Sequence, residues 1–253
     1  MNHRKTTLAL LIGLGVAGCL SAAAQPLTTA DDVLDRMRAN AQAIEDLSAD
    51  LTVQTYADDE IQLTQEIRLS LLQPNRMRQE YLAPDYLAGN LTLVVGDEMW
   101  IYIAAADTWY EKDLSELSTA EQPWLVFRQF LRDVEDEFDD YDFTLLASEN
   151  GIYQLEGRAT TDYAVYGRIE LWVDAETFVP QRRTVYDVDG NLLVDLRILE
   201  VEHTEGIAYF ARELENYDEH GVLVSRVRYD TLTINSGLEP SLFDRPEVET
   251  AGD

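Results

Sequence analysis

Ile61-Gln-Leu-Thr-Gln-Glu-Ile67-Arg-Leu69-Ser-Leu71-Leu-Gln73-Pro74-Asn75-Arg-Met77-Arg-Gln-Glu-Tyr81 is the stretch that decides the fold. Apolar residues hold odd positions (Ile61, Leu63, Ile67, Leu69, Leu71), and Gln62, Thr64, Glu66, Arg68 and Ser70 hold the even ones. A period of two is the mark of a strand with one dry and one wet face. Gln73-Pro74-Asn75 turns the chain, and Arg76 to Tyr81 returns it as an antiparallel partner.

The same rhythm spreads in both directions. Upstream, Leu51, Val53 and Thr55 alternate with polar residues before a turn at Ala57-Asp-Asp-Glu60. Downstream, 91–95 and 98–103 read as a tight hairpin around Gly96-Asp97, followed by 108–112. Strand signals resume at 141–147, 152–157, 163–173, 179–186, 192–201, 208–217 and 222–234, separated by turn residues such as Glu149-Asn-Gly151 and Asp187-Val-Asp-Gly-Asn191. Helical spacing interrupts this rhythm twice. Thr29-Ala-Asp-Asp32 resembles a capping box, and Val33, Leu34, Met37, Ala41, Ile44 and Leu47 then predict a helix over 30–47. In the insert 117–139, Trp124, Leu125, Phe127, Phe130, Leu131 and Val134 do the same, ahead of an acidic run from Asp133 to Asp142. That run lacks the Gly-punctuated spacing of a calcium loop and reads as a solvated helix end.

A sheet of about ten or eleven strands with one apolar face must curl and must cover that face. The expectation is a mainly β (α+β) fold: a curled antiparallel half-barrel, its concave face under the N-terminal helix and the insert. Residues 25–253 would form one such domain and act as a monomer.

Composition narrows the function. The 253 residues carry 48 Asp+Glu against 19 Lys+Arg, a formal net charge of −29, so phosphate backbones are repelled and nucleic acid is excluded as a partner. With 46% hydrophobic residues the chain still builds a packed core. Cys19 is the single cysteine, and His203 and His220 are far apart, which excludes thiol catalysis and a Cys/His zinc site. No G-x-S-x-G, H-E-x-x-H, P-loop or dinucleotide fingerprint occurs, so neither an enzyme nor a cofactor or metal is expected. Residues 1–24 read as an export signal, with Arg4 and Lys5 ahead of a short apolar run from Leu8 to Val16. Two cleavage readings stand side by side. Ala22-Ala-Ala24 before Gln25 fits ordinary signal peptidase, whereas Val16-Ala-Gly-Cys19 fits a lipobox in which Cys19 is lipidated. Either places the mature protein in the periplasm or cell envelope, diffusible in the first case and lipid-anchored in the second.

Taken in order, several segments resemble the LolA-type outer-membrane lipoprotein carriers and lipoprotein-sorting proteins. They are Ile44-Glu-Asp-Leu-Ser-Ala-Asp-Leu-Thr-Val53, Leu72-Gln-Pro-Asn-Arg-Met-Arg-Gln-Glu-Tyr81, Leu93-Val-Val-Gly-Asp-Glu-Met-Trp-Ile-Tyr102, Leu171-Trp-Val-Asp174 and Pro180-Gln-Arg-Arg-Thr-Val-Tyr186 with Asp187-Val-Asp-Gly190. The resemblance implies a half-barrel with a helical lid, whose apolar cavity shields lipoprotein acyl chains without catalysis. It also implies an inner-membrane donor and an outer-membrane acceptor protein. Where those carriers place a basic residue before the Pro of the first hairpin, this chain has Gln73.

On this reading Leu51, Val53, Ile67, Leu69, Leu71, Met77, Leu93, Met99 and Ile101 line the cavity, while Met37, Ile44, Trp124, Phe127 and Phe130 belong to the lid. The competing reading of the same residues is an ordinary filled core, in a lipid-anchored envelope sensor or interaction protein.

Overall fold

The computed structural model describes residues 27–114, 138–161, 164, 166–204 and 206–245. Helix α1 (Ala30–Gln42) opens them, its first turn closed by the Asp32 amide donating to Thr29 Oγ1 at 3.2 Å. Asp31 and Asp32 lie where the helix dipole favours negative charge. Strands follow as β1 (Asp46–Ala57), β2 (Glu60–Leu72), β3 (Arg76–Ala83), β4 (Leu91–Val95), β5 (Glu98–Ile103) and β6 (Thr108–Asp113). The second series is β7 (Tyr141–Glu149), β8 (Ile152–Ala159), β9 (Arg168–Asp174), β10 (Pro180–Tyr186), β11 (Leu192–Thr204), β12 (Ala208–Tyr217) and β13 (Leu223–Ile234).

All thirteen join one antiparallel sheet, ordered β6-β5-β4-β3-β2-β1-β13-β12-β11-β10-β9-β8-β7. The sheet is a meander whose first and last strands meet in the middle. Its two open edges, β6 and β7, are consecutive strands in the chain. The expected half-barrel is the fold observed, with more strands than the ten or eleven counted from sequence. The short segments 98–103 and 108–112, read as strands from the sequence, are β5 and β6. The tips use left-handed residues in pairs: Asp58 (φ 53°) with Asp59 (φ 61°), and Asn150 (φ 53°) with Gly151 (φ 78°). Two successive positive φ angles match the right-handed twist of the flanking strands.

The helix is shorter than the 30–47 expected. It stops at Gln42, and Leu47 belongs to β1, where it pairs with Ile234 on one side and Leu71 on the other. Strand pairing with both neighbours outweighs the helical spacing that Ile44 and Leu47 continue. The predicted insert helix, with Trp124, Phe127 and Phe130, lies outside the described residues, as do the leader and Cys19.

Two apolar cores share the concave side. One packs Ala30, Val33, Leu34 and Met37 of α1 on Tyr153, Leu155, Ile169, Leu171, Val173 and Val185, so the helix covers the β8–β10 half of the sheet. Asn40 ties the helix to β12 in both directions, its Nδ2 donating to the Tyr209 carbonyl (2.8 Å) and its Oδ1 accepting from the Tyr209 amide (2.9 Å). The other core gathers Leu47, Ala49, Leu51, Ile67, Leu69, Met77, Val94, Met99, Tyr229 and Ile234.

Where the β1–β13 ladder ends, one carboxylate gathers the chain that follows β13. Asp46 accepts from the Ser236 amide (2.8 Å) and hydroxyl (2.9 Å) and from the Gly237 (2.8 Å) and Leu238 (3.3 Å) amides. From there the tail reaches a 3-10 turn, Pro240–Phe243, against the outer face of β3 and β4. Arg76 and Arg78 donate to the Pro240 and Leu242 carbonyls, and Phe243 is fully buried.

Candidate apolar binding cavity

Strand alternation turns Leu51 and Val53 of β1, Gln65, Ile67 and Leu69 of β2, and Met77, Gln79 and Tyr81 of β3 to the concave side. Val227 and Tyr229 of β13 face them across the seam. Between these strands the core is not filled: a cavity of about 300 Å³ remains, completed by Asn216 of β12 and Ser225 of β13. That volume lies at the small end of ligand pockets, roughly 300–1,000 Å³. The register explains the grouping, because Leu51 pairs with Ile67 and Tyr229, Val53 with Gln65 and Val227, and Ile67 with Tyr81.

Among the described residues no charged side chain borders the cavity. Gln79 is buried and bonds to Tyr81, whose hydroxyl pKa is raised by burial and only partly lowered by that bond. Tyr229 is 4% exposed, packs edge-on against Phe210 with ring centroids 5.0 Å apart, and has its phenol pushed up to about 12 by burial. Its hydroxyl has no hydrogen-bond partner among the described residues. Asn216 Nδ2 donates to Ser225 Oγ at 2.9 Å, nearest the turn that joins β12 to β13.

Charge is instead gathered on the opposite face. Asp195, 3% exposed, accepts from Arg182 (2.7 Å) and Arg197 (2.7 Å); burial alone would raise its pKa, and the two guanidiniums hold it below the usual carboxylate range. Glu215 is placed in the same way by Tyr217 and Arg226, its pKa lowered despite burial. Arg168, Arg182 and Arg197 also lie over the rings of Tyr186, Trp172 and Tyr217. This network ties neighbouring strands together from outside. Among the described residues no group of three His, Cys, Asp or Glu side chains is placed to hold a metal ion.

Of the residues expected to line a cavity, Leu51, Val53, Ile67, Leu69 and Met77 border this one. Met99 belongs to the adjoining core, and Leu71 and Ile101 pack against it without reaching the cavity. Leu93 sits on the other face: it pairs with Trp100 and Arg78, while Val94 pairs with Met99 and Met77. The turn Gly96-Asp97 sets that register, which sequence parity alone misassigns by one residue. Met37 is part of the core beneath α1, and Ile44 follows the helix and packs against the cavity-side core. Tyr81, Gln79 and Gln65 were missed although they share the parity of Met77 and Ile67. Asn216, Ser225, Val227 and Tyr229 gave no local signal, because they join β1 only through a pairing across most of the chain.

The fold is the one seen in solved structures of LolA-type and lipoprotein-sorting proteins. The chain aligns over 85% of its length with 97% of an outer membrane lipoprotein-sorting protein domain from Vibrio parahaemolyticus (TM-score 0.65, 18% identity). It aligns over 87% of its length with 99% of a LolA superfamily protein from Nitrosomonas europaea (TM-score 0.64, 19% identity). A DUF1329 family protein from Desulfovibrio piger is similar too, with TM-score 0.69 at 20% identity over 84% of this chain and 95% of that one. A family model described as "Uncharacterized protein" matches residues 75–250, well over half of the chain, and the chain belongs to that family. No curated protein matches the sequence.

Proposed function

We propose that this protein is a non-catalytic carrier or chaperone of the cell envelope, which shields acyl chains of lipoproteins or lipids in the cavity between β1, β2, β3 and β13. One observation carries the reading: the concave face is mostly apolar and bears no charged side chain at the cavity, yet α1 fills only one half of it and leaves about 300 Å³ beneath the other. Burying a methylene there is favourable by roughly 0.8 kcal/mol, and the unbranched, adaptable Met77 suits a ligand that must also leave.

The leader at 1–24, export to the periplasm, and exchange with an inner-membrane donor and an outer-membrane acceptor belong to the same proposal. The LolA-type fold supports them. Among the described residues no helix is long and apolar enough to cross a membrane.

The test is to purify the protein from its native envelope, extract it with solvent, and titrate the stripped protein with a fluorescent acyl probe. Co-purified lipid or lipoprotein and saturable probe uptake are expected. Ile67→Trp, which fills the cavity, should abolish uptake while the far-ultraviolet circular dichroism stays unchanged. No lipid and no uptake would reject the carrier.

A further inference from the structure

We infer that the cavity selects neutral amphiphiles: an acyl chain over Leu51, Ile67, Leu69 and Met77, and an uncharged amide, ester or alcohol against Gln65, Asn216 and Ser225. The inference rests on the carrier reading and names the ligand class of the same site.

The first support is where the arginines point. Arg68 separates Ile67 from Leu69, Arg78 separates Met77 from Gln79, and Arg226 and Arg228 flank Val227. Each therefore lies on a lining strand, and alternation turns each to the opposite face. There each has a partner: Arg68 bonds Asp50 at 2.9 Å, Arg78 the Leu242 carbonyl, Arg226 Glu215, and Arg228 Asp230 at 3.4 Å. Arg212 of β12 shares the parity of Asn216 but does not border the cavity, and it is held by Glu202 at 3.1 Å and by the Asp230 carbonyl. A carboxylate or phosphate entering the cavity would be stripped of water with no cation to meet it, inside a chain of net charge −29.

The second support is the polar lining itself, in which Gln65, Asn216 and Ser225 are half-buried and retain unspent hydrogen-bonding groups. Asn216 spends one amide proton on Ser225, which leaves its carbonyl and the Ser225 hydroxyl proton for another group. Gln65 lies one row deeper, opposite Val53. Nothing among the described residues bonds the Tyr229 hydroxyl in the wall beside Leu51. These groups sit toward the β12–β13 turn, while Leu69 and Met77 lie at the far end. Gln79 and Tyr81, opposite Leu69 and Ile67, are bonded to each other, so the unspent amide and hydroxyl groups of Gln65, Asn216 and Ser225 mark one end of the cavity, and every polar group in it is neutral.

The experiment compares three ligands of one chain length against the stripped, full-length protein by displacement of a neutral fluorescent acyl probe. They are a monoacylglycerol, the free fatty acid and a lysophosphatidic acid, each below its aggregation threshold at about pH 8. The monoacylglycerol should displace the probe at a concentration at least about tenfold lower than either anion, the size of gap expected for an uncompensated buried charge. The fatty acid should close that gap as pH falls and it protonates. Gln65→Lys should raise the affinity for both anions and lower that for the ester. Equal displacement by all three would overturn the selectivity and leave the carrier reading intact. No uptake of the probe and no displacement by any acyl compound would overturn both.

Discussion

Asp46 joins the start of the first strand to the chain that leaves the last, through four hydrogen bonds to a single carboxylate. Burial pushes its pKa up, but the amides of Gly237, Ser236 and Leu238 and the Ser236 hydroxyl more than offset this, and the carboxyl titrates below its ordinary range. A depressed pKa contributes stability that is full above the unfolded value, about 3.9, and is lost as pH falls from there through the lower folded value. Asp46→Asn keeps the shape but gives up a charged acceptor, so it should cost about 1–3 kcal/mol at neutral pH. The gap between variant and parent should shrink below about pH 4, where the parent carboxylate also protonates. Urea unfolding at several pH values measures this; a gap independent of pH would reject it. Tyr229 makes the opposite case. Its hydroxyl has no partner among the described residues, so Tyr229→Phe should leave stability within about 1 kcal/mol of the parent in the same assay.

The hairpins of the second half bear on each other at a point where no side chain fits. A Cβ on Gly167 would lie 2.5 Å from the Asp187 carbonyl oxygen and 2.7 Å from the Val188 Cα, both backbone atoms that cannot swing aside. The Gly167 amide also donates to the Tyr186 carbonyl at 2.9 Å. Gly167→Ala should therefore force the β9 entry away from the β10–β11 turn and lower the thermal midpoint by several degrees, about 1–3 kcal/mol. An unchanged midpoint would sink this account. At this scale much was legible from the chain. The period of two in β2 and the Pro turn to β3 placed the central strands, and the apolar parity of β1, β2 and β3 named the floor of the cavity. Leu93 was misplaced because a hairpin turn resets parity, and the sequence around Gly96 does not state how. Leu47 was misplaced because helical spacing can continue into a strand that tertiary pairing defines. Asn216, Ser225 and Tyr229 stayed hidden because the β1–β13 seam joins residues on opposite ends of the chain, and nothing local encodes that pairing.

The charge of the whole molecule acts against its own compactness. Forty-eight acidic residues face nineteen basic ones, and several of those bases already serve Asp195, Glu215, Glu156 and Glu170 on the outer face. Many other acids among the described residues lie on wet strand faces and turns, such as Asp58-Asp59 and Asp187 to Asp189, where they repel one another through solvent. Two effects of salt then compete. Screening weakens exposed pairs such as Arg68–Asp50, worth about 0–1 kcal/mol each, and it also weakens the net repulsion. The buried carboxylates Asp195 and Glu215 are screened little, and the excess of acid is large, so relief of repulsion wins. The thermal midpoint should rise steadily as sodium chloride goes from about 10 mM to about 0.5 M, over which the Debye length shrinks from about 30 Å to a few Å. Differential scanning calorimetry in a pH-matched series measures it. Potassium chloride should give the same curve if the effect is screening rather than a specific ion. A midpoint that falls with salt would mean that the outer-face ion pairs, not the surplus of acid, govern the stability of the half-barrel.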